Sequence, residues 1–203
     1  MKVQPWVIVS CIALTLAACA NRENIPDDLV RPEPVPISPA PLQPMRHESV
    51  LREAERFFGE GAQGVADSLN YVFRENSGEP TAYIVGEEGG AALGFGLRYG
   101  HGTLYLADGA TSRIYWRGPS LGFDMGGTAT RTFVLVYNLE RVEDLYQRFV
   151  GVEGSLVLMG GLGVTYNRMD DIVLAPVRFG VGWRQGLNVG YLHLSPDSSW
   201  VPF

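Results

Sequence analysis

From Gly89 to Tyr105 the chain reads GGAALGFGLRYGHGTLY, six glycines in a stretch that otherwise alternates like a strand. Glycine has nothing to pack and loses more backbone freedom on ordering than any other residue, so it weakens helices and strands alike. A chain that sets it at every second strand position narrows its own choice of fold. Leu93, Phe95, Leu97 and Tyr99 share one face, and Gly94, Gly96 and Arg98 share the other. The device returns at Val177, Phe179, Val181 and Trp183, opposite Arg178, Gly180, Gly182 and Arg184. It returns again at Leu121, Phe123 and Met125, opposite Ser120, Gly122, Asp124 and Gly126.

A phosphate-cradling loop would put glycines in a turn between strand and helix. Here the spacing Gly94-x-Gly96-x-x-x-Gly100 misses the dinucleotide fingerprint, and Lys2 is the only lysine available to a P-loop. Glycine on one strand face fits two structural jobs. It relieves crowding where a small barrel bends or closes, or it lets another segment lie close on the sheet. The large apolar face is expected to form the main core. Arg98, Asp124 and Arg178 fall on the glycine face. If that face is enclosed they must form a paired network, because an unpaired buried charge costs several kcal/mol; the alternative is exposure to solvent.

Val65, Leu69, Val72 and Phe73 follow helical spacing and predict a helix over Gly64–Glu75. A second short helix is expected at Arg141–Phe149. The remainder alternates like strand, at Ala82–Gly86, Ala91–Tyr99, Gly102–Ala107, Arg113–Arg117, Leu121–Met125, Thr132–Tyr137, Ser155–Tyr166, Ile172–Arg184 and Leu187–Leu194. The fold class is mainly β: a small closed or strongly bent antiparallel β-barrel of about eight strands, with one or two short helices. Residues 52–203 suffice for one core and argue against two.

Ahead of that domain lie two other segments. Residues 1–18, MKVQPWVIVSCIALTLAA, read as a signal peptide: Lys2 gives the positive start, and the apolar run is too short to span a bilayer comfortably. Leu16-Ala17-Ala18-Cys19 looks like a bacterial lipobox, which makes Cys19 the lipidated first mature residue; the alternative is ordinary cleavage that leaves a free cysteine. Acyl chains contribute about 0.8 kcal/mol per buried methylene, so two or three of them anchor a protein lastingly. Residues 19–51 then form a tether, with seven prolines between Asn21 and Met45 that favour an extended, polyproline-like chain. Ala20 follows Cys19, where an aspartate would signal inner-membrane retention. The expected place is the periplasmic side of the outer membrane, with inner-membrane anchoring or a free periplasmic protein as alternatives.

Loss of the signal removes Cys11 and Lys2 and takes the formal charge from −6 to −7. No cysteine chemistry is left once Cys19 is acylated. A lysine-free acidic chain has no basic footprint for nucleic acid.

Little else points to catalysis. Glu87-Glu88 and Asp170-Asp171 are adjacent carboxylates, which in a strand face opposite ways and at strand ends are usually solvated turns. His47 falls in the tether, His101 in an expected hairpin turn and His193 near the last strand's end, with no metal-ligand spacing among them. Ser155 sits outside any GxSxG pattern. Neither a cofactor nor a metal is expected. Tyr115, Trp116, Trp183 and Tyr191 are candidates for a sugar or lipid groove, against the simpler reading of packed amphipathic aromatics.

The stretches GEPTAYIVGEEGGA, GLRYGHGTLY, YWRGPSLGFDMGG, VLVYNL, RFVGVEGSLVLMGGLGVTY, DDIVLAPVRFGVGWRQGLNVGYLHL and the terminal WVPF resemble the EipA family of alphaproteobacterial envelope proteins. The resemblance implies a small soluble eight-stranded β-barrel, exported to the periplasm, needed for envelope integrity and without a catalytic motif. The lipobox and long tether depart from a simple secretion signal. WRGPSLGFDMGG followed by TFVLVYNLERVEDLYQRF is also similar, more weakly, to SYLF (Ysc84-like) lipid-binding domains. The expected function is therefore non-enzymatic support of the Gram-negative envelope, through lipid, peptidoglycan or an envelope protein. A lipid-carrying module is the alternative, and an envelope hydrolase the third reading.

Overall fold

The computed structural model describes residues 41–59, 64–76, 78–124, 130–152, 157–179 and 190–199, with 91–95 and 120–124 described by their main chain alone. Helices α1 (His47–Phe58) and α2 (Val65–Glu75) come first. The strands are β1 (Ala82–Leu106), β2 (Thr111–Asp124), β3 (Thr130–Tyr137), β4 (Arg148–Gly151) and β5 (Val157–Met159). They continue with β6 (Leu162–Val164), β7 (Asn167–Met169), β8 (Ile172–Phe179) and β9 (Tyr191–Ser195).

The α1 helix starts almost as soon as the prolines end, headed by an extended Arg46 that makes no side-chain cap. Tertiary burial holds it: Val50, Ala54 and Phe58 make one buried stripe at helical spacing. Upstream, the Leu42 and Met45 amides donate to the carbonyls of Glu140 and Pro80 at 3.3 and 2.7 Å. Folded chain therefore begins well before Arg52, the expected start, and His47 opens a helix instead of lying in a tether. In α2, Val65, Leu69, Val72 and Phe73 are buried as their spacing predicts. Gly64 heads that helix at φ 93°, where a Cβ would lie 2.7 Å from the Gly160 Cα. Only glycine lets the helix end sit so tightly on the β5–β6 turn.

The ring of strands runs β3-β1-β2-β9-β4-β7-β8 and closes through β3–β8 pairing, Thr132 opposite Arg178 to Tyr137 opposite Val173. Strand β1 supplies two staves. Its first half pairs with β3 and its second with β2. Between them the main chain doubles back, with Gly86 beside His101 and Gly102 and Gly90 beside Leu97 and Arg98. Strands β6 and β7 follow one another along β8 in one register, from Leu162 opposite Phe179 to Met169 opposite Ile172. The result is a closed eight-stranded antiparallel barrel with two helices, as the alternation predicts.

Three expected elements change. The strand expected over Ser155–Tyr166 is a β5–β6 hairpin turning at Gly160 and Gly161, both at positive φ. The helix expected at Arg141–Phe149 is one 3-10 turn, Val142–Leu145, followed by β4. Leu145 and Phe149 are both fully buried, and a turn plus a strand achieves that as well as a helix would. His101 lies within β1 and not in a turn.

Two apolar clusters sit on either side of the wall. Tyr83, Phe133, Leu135, Val173, Ala175 and Val177 point outward and are covered by α1 and α2. Ile84, Leu104, Ile114, Trp116, Val134, Phe149, Leu174 and Leu194 fill the interior. The β3 and β8 strands are buried on both faces, which is why they read as continuous apolar runs. On the glycine-bearing strands the apolar face forms core only in part. Arg98, Gly100 and Gly102 face inward, whereas Val177 packs under the helices and Phe179 is 46% exposed. Beside Trp116 the inner space is narrow, and Gly100 and Gly86 leave room for its ring.

Candidate functional site

Trp116 comes off β2 and turns inward, 3% exposed. A Cβ on Gly100 would lie 2.1 Å from its Cε2, and one on Gly86 would lie 2.7 Å from its Cη2. The two glycines thus open the slot that holds the indole. From there Trp116 Nε1 donates to Glu88 Oε2 at 2.9 Å. Arg178 of β8 donates to the same carboxylate through Nε (3.0 Å, Oε1) and Nη2 (3.4 Å, Oε2), and through Nη1 to Thr165 Oγ1 (3.0 Å). Arg98 Nη1 approaches Glu88 Oε1 at 4.0 Å. The forked Arg178 contact fixes the carboxylate plane as well as its charge.

Burial alone would raise the Glu88 pKa. The Arg178 charge, then the Arg98 charge and the hydrogen bonds from Arg178 and Trp116, outweigh it and bring the carboxyl down to about 2. Burial lowers Arg98 to about 10, offset in part by Glu88. An ionised, fully engaged carboxylate cannot serve as a general acid near neutral pH. Its chemistry is that of a cross-tie between β1, β2 and β8.

The sequence places Arg98 and Arg178 on this face, and the structure brings both to Glu88. The Asp124 main chain pairs with Ala92, and its side chain lies outside the described residues. Glu88 itself is a correction: it is no solvated turn residue but a mid-strand side chain 8% exposed, with Glu87 facing out. The inward set Ala82, Ile84, Glu88 already shows this in its period of two. Asp170 and Asp171 are exposed in the β7–β8 turn, as expected.

A second cluster lies on the outer wall, away from the helices. Cross-strand register sets Tyr99 (β1), Arg117 (β2), His193 (β9) and Arg148 (β4) in one row. The neighbouring row is His101, Tyr115 and Ser195. Arg117 Nη2 lies 3.3 Å from His193 Nδ1, and a guanidinium only donates, so Nδ1 accepts and is unprotonated. Burial, then Arg117 and Arg148, lower the pKa of His193. Arg148 stands over the Tyr191 ring at 5.0 Å. A cavity of about 190 Å³ opens among Tyr99, His101, Tyr115, Arg117 and Ser195, with Trp116 at its base.

Of the four groove candidates, Tyr115 lines this cavity, while Trp116 commits its indole nitrogen to the interior. Tyr191 lies two positions along the wall from His193, beneath Arg148, and Trp183 falls outside the described residues. Sequence reasoning missed Tyr99, Arg117, His193 and Ser195. The signal was the shared face of Tyr115 and Arg117, two residues apart in one strand.

Comparison with known proteins agrees with this architecture. The family model described as Envelope integrity protein A (EipA) matches residues 43–203. A crystal structure of a β-barrel-like, uncharacterised protein from Brucella abortus is 42% identical, with a TM-score of 0.70. That match covers 79% of this chain and 99% of the other. Among curated proteins none matches. Barrel, helices and sequence together lead to one assignment: the chain belongs to the Envelope integrity protein A family.

Proposed function

We propose that this protein is a lipid-anchored, non-enzymatic support of the Gram-negative envelope that works by binding an envelope component from the periplasmic side of the outer membrane. The family match supports an envelope role. The lipobox ending in Cys19 supports the anchor, and Ala20 after it favours the outer membrane. One observation favours recognition by the outer wall over lipid carriage inside the barrel. The described interior is filled by Ile84, Leu104, Ile114, Trp116, Phe149, Leu174 and Leu194, each 3% exposed or less, and capped by the Glu88–Arg178 pair. An acyl chain would have to displace that packing.

The test is a deletion strain challenged with detergent and chelator, complemented by wild type or by Cys19→Ser. Increased sensitivity, cured by wild type and less well by the cysteine variant, is the expected result. A deletion strain as resistant as its parent would end the envelope reading. Recovery of the wild-type protein in the soluble periplasmic fraction would end the anchor.

A further inference from the structure

We propose that the outer wall formed by β1, β2, β9 and β4 binds an anionic saccharide, a sugar ring carrying a carboxylate or phosphate, with Tyr115 and Tyr99 against the ring and Arg117 on the anion. The proposal rests on the binding reading above and names its ligand class.

Four observations carry it. First, Tyr99, Arg117, His193 and Arg148 stand in one cross-strand row on a chain whose formal charge is −6, so the basic stripe is placed against the composition. Second, among the described residues neither Arg117 nor Arg148 has a carboxylate within 4.0 Å, as is also true of Arg52, Arg74, Arg113, Arg131 and Arg168, but of these only Arg117 lines the cavity. Third, Arg117 Nε is buried and makes no hydrogen bond to any described group, while its Nη2 rests on a histidine nitrogen. A buried donor left over is costly, and a small shift of the guanidinium toward an anion in the cavity would engage it. Fourth, the cavity of about 190 Å³ is sized for a single ring, since drug-sized sites begin at about 300 Å³.

The remaining lining suits sugar hydroxyls. Ser195 Oγ donates to the Asp197 carbonyl at 2.8 Å and keeps its lone pairs for a ligand. The exposed His101 imidazole adds a donor or acceptor at the rim. Tyrosine contributes a flat apolar face with a polar edge, a combination that a sugar's C–H face and hydroxyl rim both match. An arginine binds carboxylate or phosphate through two parallel N–H bonds and thereby orients the ring.

The experiment uses the full chain with Cys19→Ser, exported and purified, and follows side-chain NMR signals of Tyr115, Arg117 and His193. The probes are glucuronic acid, glucose 1-phosphate, neutral glucose, inorganic phosphate and phosphatidylglycerol vesicles. Saturable shifts at all three residues with the two acidic sugars, and a His193 pKa that rises when they bind, are expected. Glucose and inorganic phosphate should each bind roughly tenfold more weakly, as should acidic sugar to Arg117→Gln or Tyr115→Ala. Inorganic phosphate binding as tightly as glucose 1-phosphate would reduce the site to an anion hole and overturn the saccharide. Vesicle binding without any response to sugars would assign the face to lipid instead, and silence with every probe would remove the site. A sensitive deletion strain alongside silent probes would leave the envelope role standing and sink this inference alone.

Discussion

Gly100 and Gly86 are where a single methyl group decides the interior. Replacing Gly100 by alanine would set a carbon against the Trp116 indole at 2.1 Å, and the ring, tied to Glu88, has little freedom to retreat. Gly100→Ala should destabilise the protein by about 1–3 kcal/mol or more in urea unfolding. Gly89→Ala is the control, because nothing lies within 4 Å of its added carbon. A Gly100 variant as stable as the Gly89 variant would refute the slot. Glu88→Gln removes the counter-charge from Arg178 and Arg98 together, and breaking a buried pair in this way costs about 3–5 kcal/mol. Calorimetry should rank it well below Trp116→Phe, which gives up one donor to a carboxylate and costs about 1–3 kcal/mol.

At the scale of elements, α1 is a structural cover on the barrel wall. Val50→Ala strips part of a fully buried side chain and should cost about 1–2 kcal/mol in denaturant unfolding, counting two methyl groups. A neutral result would mean that the helix packs loosely. That helix was hard to read in HESVLREAERFF, because charged residues crowd it and prolines precede it. In α2, VADSLNYVFRE, the apolar spacing is clean, and the expected bounds hold to within a residue. The strands were legible as alternation, yet β1 read as three pieces because glycines look like punctuation. Only tertiary contact shows that Gly86, Gly90 and Gly102 mark close approach between the two halves of β1. The site was legible in part for the same reason. Arg98 and Arg178 announced a shared face, but the carboxylate they meet stood beside Glu87 and looked like a turn. The outer row needed the β2–β9–β4 order, and no local pattern reveals which distant strands become neighbours.

For the molecule as a whole, the buried ion pair sets an acid limit. Glu88 titrates near 4.5 in an unfolded chain and at about 2 when folded. A depressed carboxyl gives stability that is complete above the unfolded value and is lost as pH falls through the folded one. Unfolding free energy should therefore decline between pH 4.5 and 2, and the Glu88→Gln protein should lack that part of the slope. Parallel profiles for the two proteins would rule out the coupling. The ring order has a consequence of a different kind. Strand β9, Tyr191–Ser195, sits between β2 and β4, and β8 must reach back to β3 to shut the circle. Until those late staves arrive, translation products of this gene hold unmatched edges and cannot lock into their final form. A polypeptide built this way becomes rigid only when almost its entire length is at hand.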